Sequence, residues 1–323
     1  MKLLHCACLA AAALFAAAVP AQENFPSKRL ALVVPFATGN GIDQLSREYA
    51  EVLRVQLNQP IVVENREGAA GVIGASSASR AEPDGYTVLV AAHPPFAIST
   101  LLQKTPAFDP LASFVPVARV GSVPLVAVTA ASSPFKTWQE MAAHFKANPD
   151  KANYAVSGTG SPGQLFTQLI KLSTGLPMQE ISYKSTAQAM TDTLAGQVQL
   201  SLVSVPAAAA HIKAGTLRPL AIGSARRLAA LPEVPTLAEL LGQPRFEASV
   251  WYGFLVPAGT PKERVGKLYS EIARASQDKR VADLMARASI TPELQDPQQF
   301  AASIRQDVAL ARKMIETARL APE

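Results

Sequence analysis

The stretch VVPFATGNGID, residues 33–43, joins an apolar run to a glycine-rich turn and then to a helical pattern. A buried strand that ends in a flexible turn and continues as a helix is the repeating unit of α/β proteins. Such a turn also suits anions, because the first N–H groups of a helix have no partner within the helix. We therefore predict an α/β fold with an anion site at this turn. The helical spacing after the turn gives the core-facing residues as Ile42, Leu45, Tyr49 and Val52.

The turn does not match the two common nucleotide-binding motifs. A phosphate-binding P-loop needs Lys and then Ser or Thr, where this chain has Ile42 and Asp43. A dinucleotide-binding turn needs a third glycine, and Gln44 occupies that position. A carboxylate is the anion that the turn still suits. We expect no nucleotide and no other cofactor.

The same order of strand, turn and helix continues along the chain. Apolar runs alternate with helical patterns; these runs include IVVEN, YTVLVAA, NYAVS, QVQLSLVS and LRPLAIGS. This order predicts an α/β fold with largely parallel strands. Helix starts are expected at Thr137 and Thr236, each with Glu three residues later, and at Asp296 before Pro297.

Two long apolar stretches, residues 114–130 and 246–259, flank the middle third of the chain. They predict one outward and one returning crossing between two lobes. A chain of 323 residues is long enough to bury two cores. We expect a signal peptide at residues 1–21, a first lobe from residues 22–122 plus 250–323, and a second lobe from residues 123–249.

The N-terminus fits a secretory signal peptide. Lys2 precedes an alanine-rich apolar run, and Val19 and Ala21 fit a cleavage site after Ala21. The run is also close to the shortest helix that spans a bilayer, which leaves a membrane anchor as the alternative. We expect export to the periplasm without lipid attachment, because Cys6 and Cys8 lie too early in the run. Both cysteines would leave with the signal, so the exported chain would form no disulfide.

Several partners and activities do not fit the sequence. The formal net charge is +5, but Lys and Arg are spread out, so nucleic acid is not an expected partner. The histidines after the signal, His93, His144 and His211, lack metal-ligand spacing, so we expect no metal site. The chain has no G-x-S-x-G nucleophile motif. We therefore expect no enzyme, with an exported ester or amide hydrolase as the alternative if Ser, His and an acid converge in space.

A second glycine-rich turn, SGTGSPG, ends the predicted strand NYAVS. Ser161 before Pro162 is a favourable helix start. Either turn alone is an ordinary connection in an α/β protein. One such turn in each lobe, at the carboxyl end of a strand, predicts a carboxylate held between the lobes. His93, which follows another strand in AAHPPF, is expected at the same cleft.

A set of motifs also occurs in a characteristic order. The motifs are PSKRLALVVPFATGNGIDQLSR, QPIVVENREGAAGVIGA, AEPDGYTVLVA, YAVSGTGSPGQLF, ISYKSTAQAMTDTLAGQVQ, HIKAGTLRPLAI, LPEVPTLAEL and WYGFLVPAGTP. From about Phe25 to its end, the chain resembles the Bug-type extracytoplasmic receptors, the substrate-binding components of tripartite tricarboxylate transporters. The resemblance implies a bilobed α/β periplasmic-binding-protein fold of type II (Venus flytrap), with two lobes joined by two crossing strands. It also implies a ligand carboxylate held mostly by backbone groups and bridging waters.

The resemblance assigns ligand-binding residues position by position. The first turn corresponds to Pro35, Phe36, Thr38, Gly39, Asn40, Gly41 and Asp43. The second turn corresponds to Ser157, Gly158, Thr159, Gly160 and Ser161. The turn after the third strand corresponds to His93 and Phe96, and a later helix to Thr191 and Asp192.

The chain departs from the family pattern at three places. Asn40 interrupts the usual run of three glycines and adds an amide to the expected site. Val203 and Ser204 replace a common acidic residue and Asn, which weakens the case for an amino-acid ligand and leaves Ser204 in the site. His93 replaces a small polar residue and suits a second carboxylate or an aromatic acid. Dicarboxylates, citrate-like acids and aromatic acids such as nicotinate stay open as ligands.

The sequence and the resemblance together predict a periplasmic solute-binding receptor, expected to be a monomer. It would capture a small organic carboxylate for uptake by integral-membrane transporter subunits. Two alternatives stay open at this point. One is the exported hydrolase, and the other is a ligand sensor that feeds a signalling partner without transport.

Overall fold

The computed structural model describes residues 25–39, 41–93, 96, 100–101, 103–157, 161–244 and 246–318. The expected signal peptide lies outside these residues. The strands are β1 (Leu30–Val34), β2 (Ile61–Asn65), β3 (Thr87–Ala92), β4 (Phe114–Ala130), β5 (Asn153–Val156), β6 (Gln179–Ser182), β7 (Leu200–Ser204), β8 (Leu217–Ile222), β9 (Ser249–Pro257) and β10 (Thr291–Gln295). The α-helices are α1 (Gly41–Leu57), α2 (Val72–Ser79), α3 (Trp138–Ala147), α4 (Pro162–Thr174), α5 (Thr186–Leu194), α6 (Val205–Lys213), α7 (Leu237–Leu241), α8 (Lys262–Ala275), α9 (Lys279–Arg287) and α10 (Pro297–Ala318). Short 3₁₀ helices lie at Ala69–Gly71 and Pro149–Lys151.

The strands form two sheets that share β4. The first sheet has the order β2-β1-β3-β9-β4-β10. The second has the order β8-β4-β7-β5-β6. β4 pairs with β9 as far as Pro124 and with β7 from Leu125 onward, so the chain passes between the sheets at this point. Each sheet, with the helices packed on it, forms one lobe.

The strand directions differ in part from the prediction of a largely parallel fold. Pairing is parallel between β1 and its neighbours β2 and β3, and between β5 and its neighbours β6 and β7. Every pairing of β4 and β9 is antiparallel. The prediction is therefore wrong for the centre of the fold. The reason is that β4 leaves the first lobe and β9 returns to it, so the two run in opposite directions side by side.

The return crossing lies just before β9. The N–H of Leu125 donates to the carbonyl of Ala248 at 2.9 Å, that of Ala248 to Gly223 at 2.7 Å, and that of Gly223 to Leu125 at 2.7 Å. These three bonds hold both crossings and the chain after β8 together. A Cβ on Gly223 would overlap the carbonyl oxygen of Ala248, so glycine is needed for this close approach. The exact lobe boundaries expected from the sequence stay a prediction.

Apolar side chains are buried on both faces of the first sheet. On one face, the α1 residues predicted to face the core are at most 4% exposed: Ile42, Leu45, Tyr49 and Val52. On the other face, the ring of Phe300 from α10 packs edge-on against Trp251, with 4.9 Å between centroids. A Cβ on Gly253 would overlap the Phe300 ring, so this glycine lets α10 approach β9. The helical spacing seen in the sequence is confirmed.

The three predicted helix starts are also confirmed. The Thr137 side chain accepts a hydrogen bond from the N–H of Glu140 at the start of α3. Thr236 and Glu239 form a complete capping box, with reciprocal bonds of 3.1 and 2.8 Å. Asp296 accepts two N–H bonds from the first turn of α10. These starts depend on neighbours in the sequence, which is why local patterns predict them.

Candidate functional site

The carboxyl ends of the parallel strands in both lobes lie beside the crossing. Ala92, the last residue of β3, pairs with Tyr252 of β9, a few residues after the return crossing at Ala248. Ser204, the last residue of β7, pairs with Leu125 at the outward crossing. The turns after β1, β3, β5 and β7 therefore surround one region between the lobes. This is where α/β sheets bind ligands, and it is the candidate ligand site.

Asp43 holds the turn after β1 from within. Its buried carboxylate accepts hydrogen bonds from the N–H of Gly39 at 2.8 Å, from Asn65 Nδ2 at 2.8 Å and from Arg47 Nε at 3.0 Å. Asn65 Nδ2 also donates to the carbonyl of Phe36 at 3.1 Å. The carboxylate holds Gly39 directly, and Asn65 links it to Phe36, so both ends of the turn are tied to the end of β2. In this arrangement the carboxylate accepts hydrogen bonds from the turn, from β2 and from α1.

The charge of Asp43 follows from these bonds. Burial by itself raises the pKa of a carboxyl group, because it disfavours the charged form. At Asp43 the hydrogen bonds from Arg47, Gly39 and Asn65 outweigh burial and hold the pKa below its usual range. The group is therefore a charged anchor at neutral pH. Because it engages the N–H of Gly39, that donor is not open to a ligand.

The described tip of the glycine-rich turn after β1 is open to solvent. Thr38, Gly39 and Gly41 are exposed. Gly39 has a φ of +88°, which glycine adopts without strain. Gln44 Nε2 donates to the carbonyl of Gly39 at 2.9 Å, so Gly39 is held through both its N–H and its carbonyl. Asn40, which the sequence singled out, lies outside the described residues.

Pro35 and Phe36 form the apolar side of this turn. They line a narrow apolar crevice together with α2, Phe96 and Phe108. A Cβ on Gly74 of α2 would lie 2.7 Å from the Cα of Pro35, so glycine allows α2 to pack this closely. Phe96 is 4% exposed, and its ring lies 5.5 Å from that of Phe108. Phe96 is thus a buried wall beneath the turn.

His93 follows β3 directly and is buried. Its ring stacks on Trp251 at 5.7 Å and lies 5.9 Å from Phe166 of α4, so it contacts both lobes. Its Nδ1 has no hydrogen-bond partner within the described structure and lies 3.6 Å from Asp307. Burial lowers the pKa of His93, and the nearby Asp307 opposes this effect without reversing it. The imidazole is therefore neutral at pH 7 and lies between the lobes.

Ser161 begins α4 as the sequence predicts. Its hydroxyl accepts a hydrogen bond from the N–H of Gln164 at 3.3 Å, and Pro162 occupies the first helical position. Ser157, at the end of β5, is half-buried. The remaining residues of this turn, which lie outside the described part of the chain, are Gly158, Thr159 and Gly160.

Gly163 sets the position of α4. A Cβ on this residue would overlap the carbonyl oxygen of Leu202 in β7. Glycine therefore lets the first turn of α4 lie directly against the strand next to β5. This close contact fixes the start of the helix at the carboxyl edge of the second sheet.

Thr191 and Asp192 lie within α5, and their side chains are engaged in the second lobe. Thr191 Oγ1 donates to the carbonyl of Ala187 at 3.0 Å. Asp192 Oδ2 accepts from the hydroxyl of Tyr183 at 2.9 Å. Burial and this bond raise the pKa of Tyr183. In this structure Asp192 joins α5 to the end of β6.

Three side-chain hydroxyl groups around the site make no hydrogen bond to the described residues. Ser204 is the N-cap residue of α6, but its side chain makes no capping bond. Thr38 and Ser157 likewise make no side-chain hydrogen bond to the described residues. These hydroxyls come from both lobes. They are available to an oxygen-rich ligand.

Tyr252 is a candidate site residue that the sequence reasoning missed. Its hydroxyl oxygen lies 3.9 Å from the position that a Cβ on Gly41 would take. Alternation along β9 was the available signal, because Trp251 and Tyr252 must face opposite sides of the sheet. That signal does not reveal which face carries α1, so only the tertiary structure brings Tyr252 to the first turn.

The part of the chain that the structure describes lacks two further features. It holds no group of three or more His, Cys, Asp or Glu residues that could bind a metal ion. None of its helices has the length and apolar composition needed to cross a bilayer.

The sequence and the fold of this chain are similar to those of known proteins. A family model described as "Tripartite tricarboxylate transporter family receptor" matches residues 45–320. The chain belongs to this receptor family. Among its relatives, the protein BugT of Bordetella pertussis is 36% identical over 293 residues, which cover 90% of each chain.

Solved structures of the receptor family share the fold. A TctC solute-binding protein from Polaromonas has a TM-score of 0.83 at 27% identity, covering 91% of this chain and 99% of its own. A protein of R. palustris, solved with adipate, has a TM-score of 0.72 at 31% identity, covering 93% of this chain and 100% of its own. The predicted family and the bilobed periplasmic-binding-protein fold are confirmed. Receptors of this family and fold bind solutes and are not enzymes.

Proposed function

We propose that this receptor captures a small organic carboxylate between its lobes and presents it to the integral-membrane subunits of a tripartite tricarboxylate-type transporter. One observation carries the proposal. The helices α1 and α4, one in each lobe, start just after parallel strands whose carboxyl ends lie beside the crossing. Adipate, which the R. palustris relative holds, is an acid of this class.

The two helix starts account for only part of the binding energy. Each favours a nearby negative charge by about 0.3–1 kcal/mol, and by up to ~2 kcal/mol where it is partly buried. A micromolar dissociation constant corresponds to about 8 kcal/mol. Direct hydrogen bonds, ordered waters and apolar contact made on closure of the lobes supply the remainder.

In the proposed ligand site, some residues donate hydrogen bonds to the ligand and others hold the two turns in place. The open hydroxyls of Thr38, Ser157 and Ser204 donate to the ligand directly. Asp43 and Ser161 keep the two turns in shape, so that backbone N–H groups face the acid. The glycines and Asn40 of these turns, with Thr191 and Asp192 in the second lobe, remain part of the proposed site as the family motif implies.

The apolar part of the site bears on the type of acid. Phe96 is a buried wall beneath the first turn, and His93 lies buried and uncharged between Trp251 and Phe166. Phe36 adds an apolar edge. Such a wall suits the carbon chain of an acid like adipate, or an aromatic ring, better than a third carboxylate.

The proposal includes export and a monomeric state. Residues 1–21 would be removed, and the receptor would act in the periplasm, where proteins of this fold and family work. Mass spectrometry of the protein from a periplasmic extract tests this. The expected mass is that of residues 22–323, in a form that elutes as a monomer.

Calorimetry and thermal shift test the ligand class. Residues 22–323 are titrated with adipate, malate, citrate and nicotinate, after native mass spectrometry of protein taken from its host. At least one acid should bind with a micromolar or lower dissociation constant. At a concentration 100 times that constant, it should add about 2.7 kcal/mol to the free energy of unfolding. A tight ligand without an acidic group would contradict the proposal.

Uptake measurements separate a transport receptor from a sensor. Host cells without the receptor should lose uptake of the acid that the purified protein binds. Unchanged uptake, together with a lost transcriptional response to the acid, would instead support the sensor.

A further inference from the structure

Tyr252 lies where β9 enters the first lobe from the crossing. Its backbone pairs with Ala92 at the end of β3 and with Gly121 of β4. The preceding Trp251 packs toward α10, so Tyr252 faces the opposite side of the sheet, which carries α1. Its hydroxyl therefore reaches the first turn of α1, 3.9 Å from the position of a Cβ on Gly41.

Most tyrosine hydroxyls in the described part of the chain already have a hydrogen-bond partner. Four of the six tyrosines hydrogen-bond to a neighbouring side chain: Tyr49 to Ser276, Tyr86 to Ser27, Tyr154 to Glu180 and Tyr183 to Asp192. Tyr252 and Tyr269 are partly buried, and neither hydroxyl makes a hydrogen bond within the described structure. The hydroxyl oxygen of Tyr252 is not enclosed by protein, so it is open to solvent and to a ligand. The open hydroxyl thus lies in a region that the proposed ligand would occupy.

The chemical state of this group defines the partner that it needs. Burial raises the pKa of Tyr252, so the phenol stays protonated at neutral pH. A phenol can donate one hydrogen bond, and that bond is stronger to a charged carboxylate than to a neutral acceptor. The N–H groups of the same helix turn favour the same anion. The Tyr252 hydroxyl and the start of α1 therefore both favour a carboxylate.

We infer that Tyr252 contacts the ligand and that its hydroxyl donates a hydrogen bond to a carboxylate held at the start of α1. The inference rests on the proposed function, because it names a residue of the same site. It makes Tyr252 a determinant of affinity for acids over their uncharged analogues. Tyr252 lies in β9 just after the return crossing, so it contacts the ligand from a side that neither glycine-rich turn covers.

The substitution Tyr252→Phe tests the inference. The probe is the acid among adipate, malate, citrate and nicotinate that the unaltered protein binds most tightly, compared with the corresponding amide. Losing a hydrogen bond to a charged group should raise the dissociation constant of the acid roughly 10- to 100-fold, and that of the amide roughly 2- to 10-fold. The melting temperature without ligand should stay unchanged, because the hydroxyl has no partner in the chain to lose.

Tyr49→Phe is the matched control. Its hydroxyl bonds to Ser276 at 2.7 Å, away from the proposed site, so this variant should melt at a lower temperature and keep its affinity for the acid. Equal affinity of the unaltered protein and Tyr252→Phe would overturn this inference but not the proposed function. So would a lower melting temperature of Tyr252→Phe that accounts for the loss of binding. Failure of the unaltered protein to bind any acid would overturn the proposed function and this inference with it.

Discussion

At the scale of single residues, a buried acid shapes the candidate site. Asp43 accepts bonds from a backbone N–H, an amide and a guanidinium, which come from the turn, from β2 and from α1. Loss of a buried charged acceptor leaves these donors unpaired. The preference of the carboxyl for its charged form is therefore linked to the stability of the turn.

Asp43→Asn should lower the free energy of unfolding by about 1–3 kcal/mol at pH 7. The folded pKa lies below the value of about 3.9 for an unfolded chain, so the charged group contributes its stability above that pH. The contribution is lost as the pH falls through the folded pKa. The difference between the two proteins should therefore shrink below about pH 4, as measured by urea unfolding at a series of pH values.

Asp150→Asn serves as the control for this measurement. Asp150 is exposed and makes no side-chain hydrogen bond to the described residues, so the exchange should change stability little at any pH. A pH-independent loss for Asp43→Asn would show that charge is not what anchors the turn.

At the scale of elements, close packing of a helix on a strand sets the second turn. α4 lies against β7 because Gly163 has no Cβ to meet the carbonyl of Leu202. The start of α4 carries the Ser161 cap and the end of the second turn. A shift of this helix would therefore move the backbone donors of the turn away from the crossing.

Gly163→Ala should lower the free energy of unfolding by about 1–3 kcal/mol, the usual cost of overpacking. It should also weaken ligand binding, because α4 must move outward. Thermal melting and calorimetry with the tightest acid measure the two effects. Glycine-to-alanine changes in helices normally stabilise, so the sign of this effect is diagnostic.

Gly266→Ala in α8 supplies that comparison. No atom lies within 4 Å of a Cβ at this position, so alanine should stabilise the protein by about 0.5–1 kcal/mol without changing affinity. A stabilising effect at Gly163 as well would refute the close-packing argument.

At the scale of the whole molecule, one buried cation joins the two crossings. Arg119 of β4 is 4% exposed and donates through Nη2 to Glu247, beside the return crossing, at 3.1 Å and to Glu293 of β10 at 2.6 Å. Burial raises the pKa of Glu293, and Arg119 opposes that effect. The group borders a polar pocket of about 210 Å³ between α10 and the crossing segment. Arg119 thus holds together parts of the chain that are far apart in sequence.

Arg119→Met should lower the free energy of unfolding by roughly 2–4 kcal/mol at pH 7, a figure reduced for the partial exposure of the two carboxylates. Without the cation, the folded pKa of Glu293 rises further above its unfolded value of about 4.3. A raised folded pKa gives stability that is lost as the pH increases through it. The loss should therefore be smaller at pH 4 than at pH 7 in chemical unfolding.

Arg227→Met is the surface counterpart of this change. Arg227 pairs with Glu239, and both side chains are exposed, so its loss should change stability far less than the loss of Arg119. Equal losses at Arg119 and Arg227 would mean that the buried pair does not hold the crossings together.

The sequence by itself determined the fold class, the crossing stretches, the helix starts and the family. Each of these depends on local order: helical spacing after Gly41, a Thr or Ser cap with its following residue, and apolar runs bounded by turns. The position of both glycine-rich turns at strand ends also followed from this order. Neighbours in the chain specify such features, so a single sequence suffices to predict them.

Only the tertiary structure decided how distant segments meet. It made β4 and β9 antiparallel, engaged Asp43 with Asn65, buried His93 between Trp251 and Phe166, and brought Tyr252 beside α1. These outcomes depend on which sheet face a helix covers and on contacts between residues far apart in the chain. The physical reason is that burial and hydrogen-bond pairing are set by packing in three dimensions, and no periodicity along the chain encodes them.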